Sequence, residues 1–202
     1  MLSIRTACVA LTAALCWSIT PEASANVGGG GTITDIVAKS GGDFDDNKRD
    51  YDILLNAVIA AELADALADP KARLTVFAPT DLAFYRLAVD LGYGGEYDET
   101  AVFTFIVDTL TDLGGGDPIP VLTDILLYHV APGVVRPIDL IFNTFFQVPI
   151  DTLLGATIQP FFLQLIDNDP DLRDARVAIP FNIRATNGRI HSVTRVLIPV
   201  DL

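Results

Sequence analysis

From Ile53 onward the apolar residues Ile53, Leu54, Ala57, Val58, Ala61 and Ala64 recur three and four positions apart. That spacing places them on one face of a helix, which is expected to end before Asp69-Pro70. A shorter helical pattern covers Thr32 to Lys39 and closes at Ser40-Gly41-Gly42. The period then changes. "RLTVFAPT", Arg73 to Thr80, predicts a β-strand stopped by Pro79. Thr80 or Asp81 is placed to cap a second long helix with Phe84, Leu87, Ala88 and Leu91 inward, closed at Gly92. Glu99 to Leu113 predicts a third, with Val102, Phe103, Ile106 and Leu110 buried and Gly114-Gly115-Gly116 ending it. Leu122, Ile125 and Leu126 predict another helix after Pro118 and Pro120.

From Tyr128 the pattern becomes one of strands. In "HVAPGVV" the pair Pro132-Gly133 suits the centre of a type II turn. Thr157 to Ile166, Arg176 to Ile179, Phe181 to Thr186 and Arg189 to Ile198 are β-rich runs. Asn187-Gly188 between the last two predicts a hairpin, because both residues tolerate positive φ. The apolar residues Ile190 and Val193 are three apart, which breaks strict alternation and predicts a bulge near His191. Helices in the first half and strands in the second argue for an α+β fold.

The chain ends change the domain picture. Arg5, the uncharged apolar run Ala7 to Trp17 and the small-x-small triplet Ala23-Ser24-Ala25 form the pattern of a secretory signal, residues 1–25. Residues 26–31 form a glycine-rich leader, and 32–202 are expected to fold as one domain. Both cysteines, Cys8 and Cys16, lie in the signal, so the mature chain is expected to carry no thiol, disulfide or cysteine metal ligand. No later apolar run reaches the length of a membrane span. The expected location is secreted or periplasmic.

Charge narrows the partners. A net charge of −13 disfavours nucleic acid and anionic membranes. The acids are spread along the chain, as on a solvated surface. Nothing in the sequence sets an oligomeric state.

Candidate chemistry adds little. The mature chain keeps two serines, Ser40 and Ser192, and no G-x-S-x-G elbow. His191 and Ser192 adjoin on a strand, so they point to opposite faces and make no nucleophile–base pair. Two histidines, His129 and His191, fall short of a zinc site. Asp167, Asp169 and Asp171 match the first, third and fifth places of a calcium loop, but Leu172 and Ala178 stand where glycine and glutamate belong. The loop at Asp43, Asp45 and Asn47 fails the same way, with Lys48 and Leu54. Neither a P-loop nor a dinucleotide fingerprint is present. A carboxylate pair for glycan hydrolysis is set by spatial separation, which sequence does not reveal. No cofactor or metal is expected.

Three blocks, in order, resemble the fasciclin domain family of secreted and cell-surface adhesion modules: "LTVFAPTDLAF" (Leu74 to Phe84), "ILLYHVAPGVV" (Ile125 to Val135) and "ATNGRIHSVTRVLIP" (Ala185 to Pro199). The resemblance implies a compact wedge of two β-sheets flanked by several helices. It implies a non-enzymatic module that binds an extracellular matrix, an envelope glycan or a surface protein. A glycan-active enzyme and a calcium-dependent binding protein on the same scaffold are the alternatives. Thr80, Asp81, Asn187, Gly188 and His191 fall in the structural hallmark segments. Tyr128-His129 matches a pair implicated in adhesion among animal members, which makes these two the recognition candidates. Tyr93, Tyr97 and Phe181 are further candidates for an adhesive surface. Asn182-Ile183 stands where those members often carry an aspartate before isoleucine, so the carboxylate implicated in integrin contact is missing.

Overall fold

The computed structural model describes residues 30–200. The expected signal, all of the leader before Gly30, and the last two residues lie outside the described residues. Short helix α1 (Ile33–Ser40) precedes α2 (Asp52–Ala60) and α3 (Ala64–Ala68). Strand β1 (Leu74–Pro79) leads into α4 (Asp81–Asp90), α5 (Glu99–Leu113) and α6 (Ile119–Tyr128). Then come β2 (Val130–Pro132), α7 (Pro137–Phe146), β3 (Ile150–Asp151), β4 (Thr157–Phe161), β5 (Gln164–Ile166), β6 (Ala175–Arg176), β7 (Ile183–Ala185) and β8 (Gly188–Val193).

Two four-stranded sheets result, in the orders β2-β1-β8-β7 and β3-β4-β5-β6. The pairing of β1 with β8 is parallel and runs unbroken from Leu74 opposite Gly188 to Pro79 opposite Val193. The other pairings between strands are antiparallel. Val177 bridges to Val193 and ties the second sheet to the first. The α+β expectation, two sheets flanked by helices, is what forms.

The first sheet is a wall between two cores. Val76, Ala78 and Ile190 face a core filled by Ile33, Leu54, Val102, Leu110 and Leu126 from the helices. Phe77, Val193 and Leu197 face the other, with Tyr128, Leu140, Ile150, Ile158 and Leu165. This two-sided burial corrects the expected bulge. Ile190, His191, Ser192 and Val193 are all buried because β8 is central and covered on both faces, so the apolar period carries no register information there.

Several helix boundaries follow from local chemistry. Thr32 caps α1 by accepting from the Asp35 N–H, and Asp35 returns a bond to the Thr32 N–H. The single helix expected from Ile53, ending before Asp69-Pro70, is two helices. Glu62, at φ +57, ends the first one, with its N–H on Ile59 O and the Leu63 N–H on Val58 O. Gly92, at φ +105, ends α4 through the same arrangement, with the Tyr93 N–H on Ala88 O. Helix α7 lies where strands were expected. It packs on β4, and the Thr144 hydroxyl links it to the turn between β4 and β5 by accepting from the Phe162 N–H at 2.7 Å.

Candidate functional site

The hallmark turn near the C-terminus works by a different mechanism from the one its residues suggest. Ala185 pairs with Gly188, so the two turn residues are Thr186 and Asn187. Neither Asn187 nor Gly188 has positive φ. Asn187 is buried and acts through its side chain. Its Oδ1 accepts from the Ile33 N–H at 3.0 Å, at the start of α1. Its Nδ2 donates to Leu67 O at 2.8 Å and Asp69 O at 3.0 Å, at the end of α3. One amide therefore satisfies a helix start and a helix end. Gly188 is required by close approach, since a Cβ there would lie 1.9 Å from Leu74 O across the parallel pairing.

Both histidines are structural staples. His129 is buried; its Nδ1 donates to Ile125 O at 2.8 Å and its Nε2 accepts from the Leu197 N–H at 2.9 Å. Burial holds its pKa down to about 4, although the Ile125 carbonyl favours charge. His191 is also buried. Its Nε2 donates to Val135 O at 2.9 Å, and its Nδ1 accepts from the Asn182 N–H at 3.3 Å. Its ring stacks on Phe77 with centroids 5.9 Å apart. Burial lowers its pKa as well. Each ring has one N–H given to a carbonyl and its lone pair filled by a backbone N–H, so neither nitrogen is left to act as base or metal ligand.

Tyr128 lies beside His129 and is equally enclosed. Its side chain is fully buried and its hydroxyl donates to Thr157 O at 2.9 Å. Tyr128 thus sits in the core shared with the second sheet, His129 is pinned between Ile125 O of α6 and the Leu197 N–H, and neither ring is presented to a partner in this structure. The reason is geometric: the pair ends α6, where the chain turns into a strand at the sheet wall.

Thr80 and Asp81 divide the capping role unexpectedly. The Thr80 side chain caps nothing in α4. Asp81 is buried and reaches across to α2, where its Oδ1 accepts from the Ile53 N–H at 2.8 Å and its Oδ2 from the Asp52 N–H at 3.3 Å. Burial and the neighbouring Asp50 carboxylate push its pKa well above the usual carboxylate range.

Around that contact the starts of α2 and α5 converge, and four carboxylates gather. One oxygen from each of Asp45, Asp50, Asp52 and Glu99 lies within 4.8 Å of the others. Asp50, Asp52 and Glu99 are buried. Glu99 accepts from the Tyr97 hydroxyl at 2.5 Å and the Asp45 N–H at 2.7 Å. Asp50 accepts from Asn47 Nδ2 at 2.7 Å with one oxygen. Its other oxygen, on the side of the Asp81 carboxyl, and both oxygens of Asp52 make no hydrogen bond of good geometry among the described residues. Burial raises the pKa of Asp52 and Glu99, with Asp50 adding repulsion; the nearby Gly42 N–H offsets part of this at Asp52. Among the described residues the ion pairs are Arg136–Asp139 and Arg195–Asp90, both elsewhere.

In the other acidic loop Asp167 and Asp169 are occupied by backbone N–H groups. Asp167 accepts from the Ile198 N–H at 2.9 Å and the Asp169 N–H at 3.3 Å. Asp169 accepts from the N–H groups of Asp171 and Leu172. Burial raises the Asp167 pKa to about 6.

The surface carries one feature that the sequence reading passed over. On α7, Phe142, Phe145 and Phe146 are 53, 68 and 72 % exposed. Phe161 and Phe162, on the β4–β5 hairpin, are also exposed. The Phe145 and Phe162 rings meet edge-on at 5.9 Å, and Phe161 and Phe162 at 5.3 Å. The signal was available in the three- and four-residue spacing of the α7 phenylalanines. Tyr93 and Tyr97 are half-buried and pack edge-on around Tyr85. Phe181 is exposed.

Comparison with known proteins agrees with this architecture. The fasciclin domain model matches residues 49–199. An uncharacterized protein of Synechocystis sp. is 31% identical over 148 residues, covering 73% of this chain and 89% of the relative. A FAS1 domain pair from the insect cell adhesion molecule fasciclin I superposes with a TM-score of 0.55 at 17% identity. That match covers 83% of this chain and 51% of the insect chain, so the chain spans about half the length of that structure and shares its fold. The chain belongs to the fasciclin domain family.

Proposed function

We propose that the chain is exported through its 1–25 signal and that residues 32–202 act as a single non-enzymatic adhesion module that binds another extracellular protein. The observation that carries this is the phenylalanine face of α7 and the β4–β5 hairpin. Scattered exposed apolar residues are ordinary, but a contiguous aromatic patch marks an interaction surface. Aromatic side chains are enriched at protein–protein contacts. A phenyl ring offers no hydrogen-bonding group, whereas a glycan presents hydroxyls that need partners, so a protein surface suits this face better than a polysaccharide. The fold of the insect adhesion molecule supports the same reading by analogy.

The test uses labelled residues 26–202 on intact producing cells and on their extracted surface polysaccharide. Saturable binding to cells is expected, abolished by prior surface proteolysis and weakened about tenfold or more by Phe145→Ser with Phe162→Ser. Binding to purified polysaccharide that the double substitution leaves intact would overturn the assignment. Release of polymer fragments would overturn the non-enzymatic reading.

A further inference from the structure

We infer that Asp45, Asp50, Asp52 and Glu99 form a binding site for a hard divalent cation of the calcium class, bridging the starts of α2 and α5. Acids at two helix N-termini have an ordinary explanation in the helix dipoles, and that explanation accounts for Asp98, which caps α5 through the Ala101 N–H. It does not account for Asp50 and Asp52. These are 4 and 0 % exposed, and three of their four oxygens make no hydrogen bond of good geometry among the described residues; the Asp81 carboxyl beside Asp50 and the Gly42 N–H near Asp52 bring no positive charge. Buried polar atoms are almost always satisfied, and a buried carboxylate needs a counter-charge. Among the described residues no cationic side chain forms an ion pair there: the ion pairs lie elsewhere, and the Lys48 ammonium sits over the Tyr97 ring at 4.5 Å.

The donor set fits one ligand class. All four groups are carboxylates, with neither imidazole nor thiolate among them, which suits a hard cation. Calcium takes six to eight oxygens at about 2.3–2.6 Å, so ligand oxygens on opposite sides of the ion are separated by roughly 4.6–5.2 Å. Oxygens within 4.8 Å of one another are compatible with a single ion. Four protein carboxylates favour calcium over magnesium, which keeps most of its water. An entry path exists, because Asp45 and Glu99 line a surface pocket with Phe44, Asp46, Asp98 and Thr100. The arrangement is not an EF-hand, since Glu99 comes from a separate helix. The site stands independently of the aromatic recognition face.

Residues 26–202 can be tested with calcium and terbium as probes. Tyr97 donates directly to Glu99, so excitation of tyrosine should sensitise terbium emission that saturates and is displaced by calcium. Calcium should raise Tm above a sodium chloride control of equal ionic strength, with a dissociation constant of about 10⁻⁴–10⁻³ M or tighter. Asp52→Asn and Asp50→Asn, whose folding circular dichroism would confirm, should weaken binding about tenfold or more by removing ligand charge. Asp171→Asn, in the other acidic loop, should leave affinity unchanged. Absence of sensitised emission and of a calcium-specific rise in Tm overturns the site. So does wild-type affinity in Asp52→Asn and Asp50→Asn, or loss of binding in Asp171→Asn.

Discussion

The two histidines illustrate how a residue that looks chemical in sequence becomes mechanical in structure. His129 gives its Nδ1 proton to Ile125 O and fills its Nε2 lone pair with the Leu197 N–H, so a second proton has no place to go without breaking that bond. In the unfolded chain the same imidazole titrates near 6.5, against about 4 in the fold. Between these values the unfolded state holds the extra proton, so this group's contribution to stability is present at neutral pH and lost as pH falls from 6.5 to 4. The loss amounts to about 3 kcal/mol. Asp167 acts in the opposite sense, because its raised pKa makes the fold gain stability as pH falls through about 6. A comparison with His129→Gln isolates the histidine: urea unfolding should show the wild type ahead at pH 7 and its lead shrinking by about that amount near pH 4. A lead that stays constant with pH would disprove the assignment. Asn187 and Gly188 teach a related lesson. Their pairing signalled a turn one residue beyond its actual centre at Thr186-Asn187, and a buried amide and a close backbone approach are three-dimensional reasons for those residue types, invisible in a dipeptide.

At the level of elements, legibility followed burial. Helix α5 runs from Glu99 to Leu113 as its spacing predicts, because its inward face is Val102, Ile106 and Leu110 and its other face is polar. Helix α7 escaped notice because its apolar residues do not all report a core: Leu140 is buried while Phe142, Phe145 and Phe146 are exposed. The break after α2 escaped because Glu62 at positive φ is not a glycine. The carboxylate site was illegible for a topological reason, since Glu99 begins a helix far along the chain from Asp50 and Asp52. The cap on α2 is likewise non-local. Asp81 belongs to α4 yet holds the Asp52 and Ile53 N–H groups. Asp81→Ala should therefore expose two unsatisfied donors and cost about 1–3 kcal/mol, whereas Asp81→Asn keeps a carbonyl acceptor for them and should cost less. Chemical denaturation of both variants checks the order. Equal losses would show that α2 does not depend on this cap.

For the molecule as a whole, the question is whether two cores make two folding units. Strand β1 argues against it. Val76 and Ala78 belong to the helical core, while Phe77 between them belongs to the core shared with α7 and the second sheet. Strand β8 repeats the division, with Ile190 on one side and Val193 on the other, and its pairing with β1 joins segments far apart in the chain. Removing one core would strip a face from the wall that supports the other. Leu140→Ala, in the core farther from α5, is expected to cost about 2–5 kcal/mol. If the wall couples the cores, that loss should appear undiminished in hydrogen exchange of the α5 amides as well as those of β4, because both would open only by global unfolding. Retained protection in α5 alongside lost protection in β4 would instead show that the second sheet and α7 unfold as a separate unit, leaving the aromatic face on the less stable half.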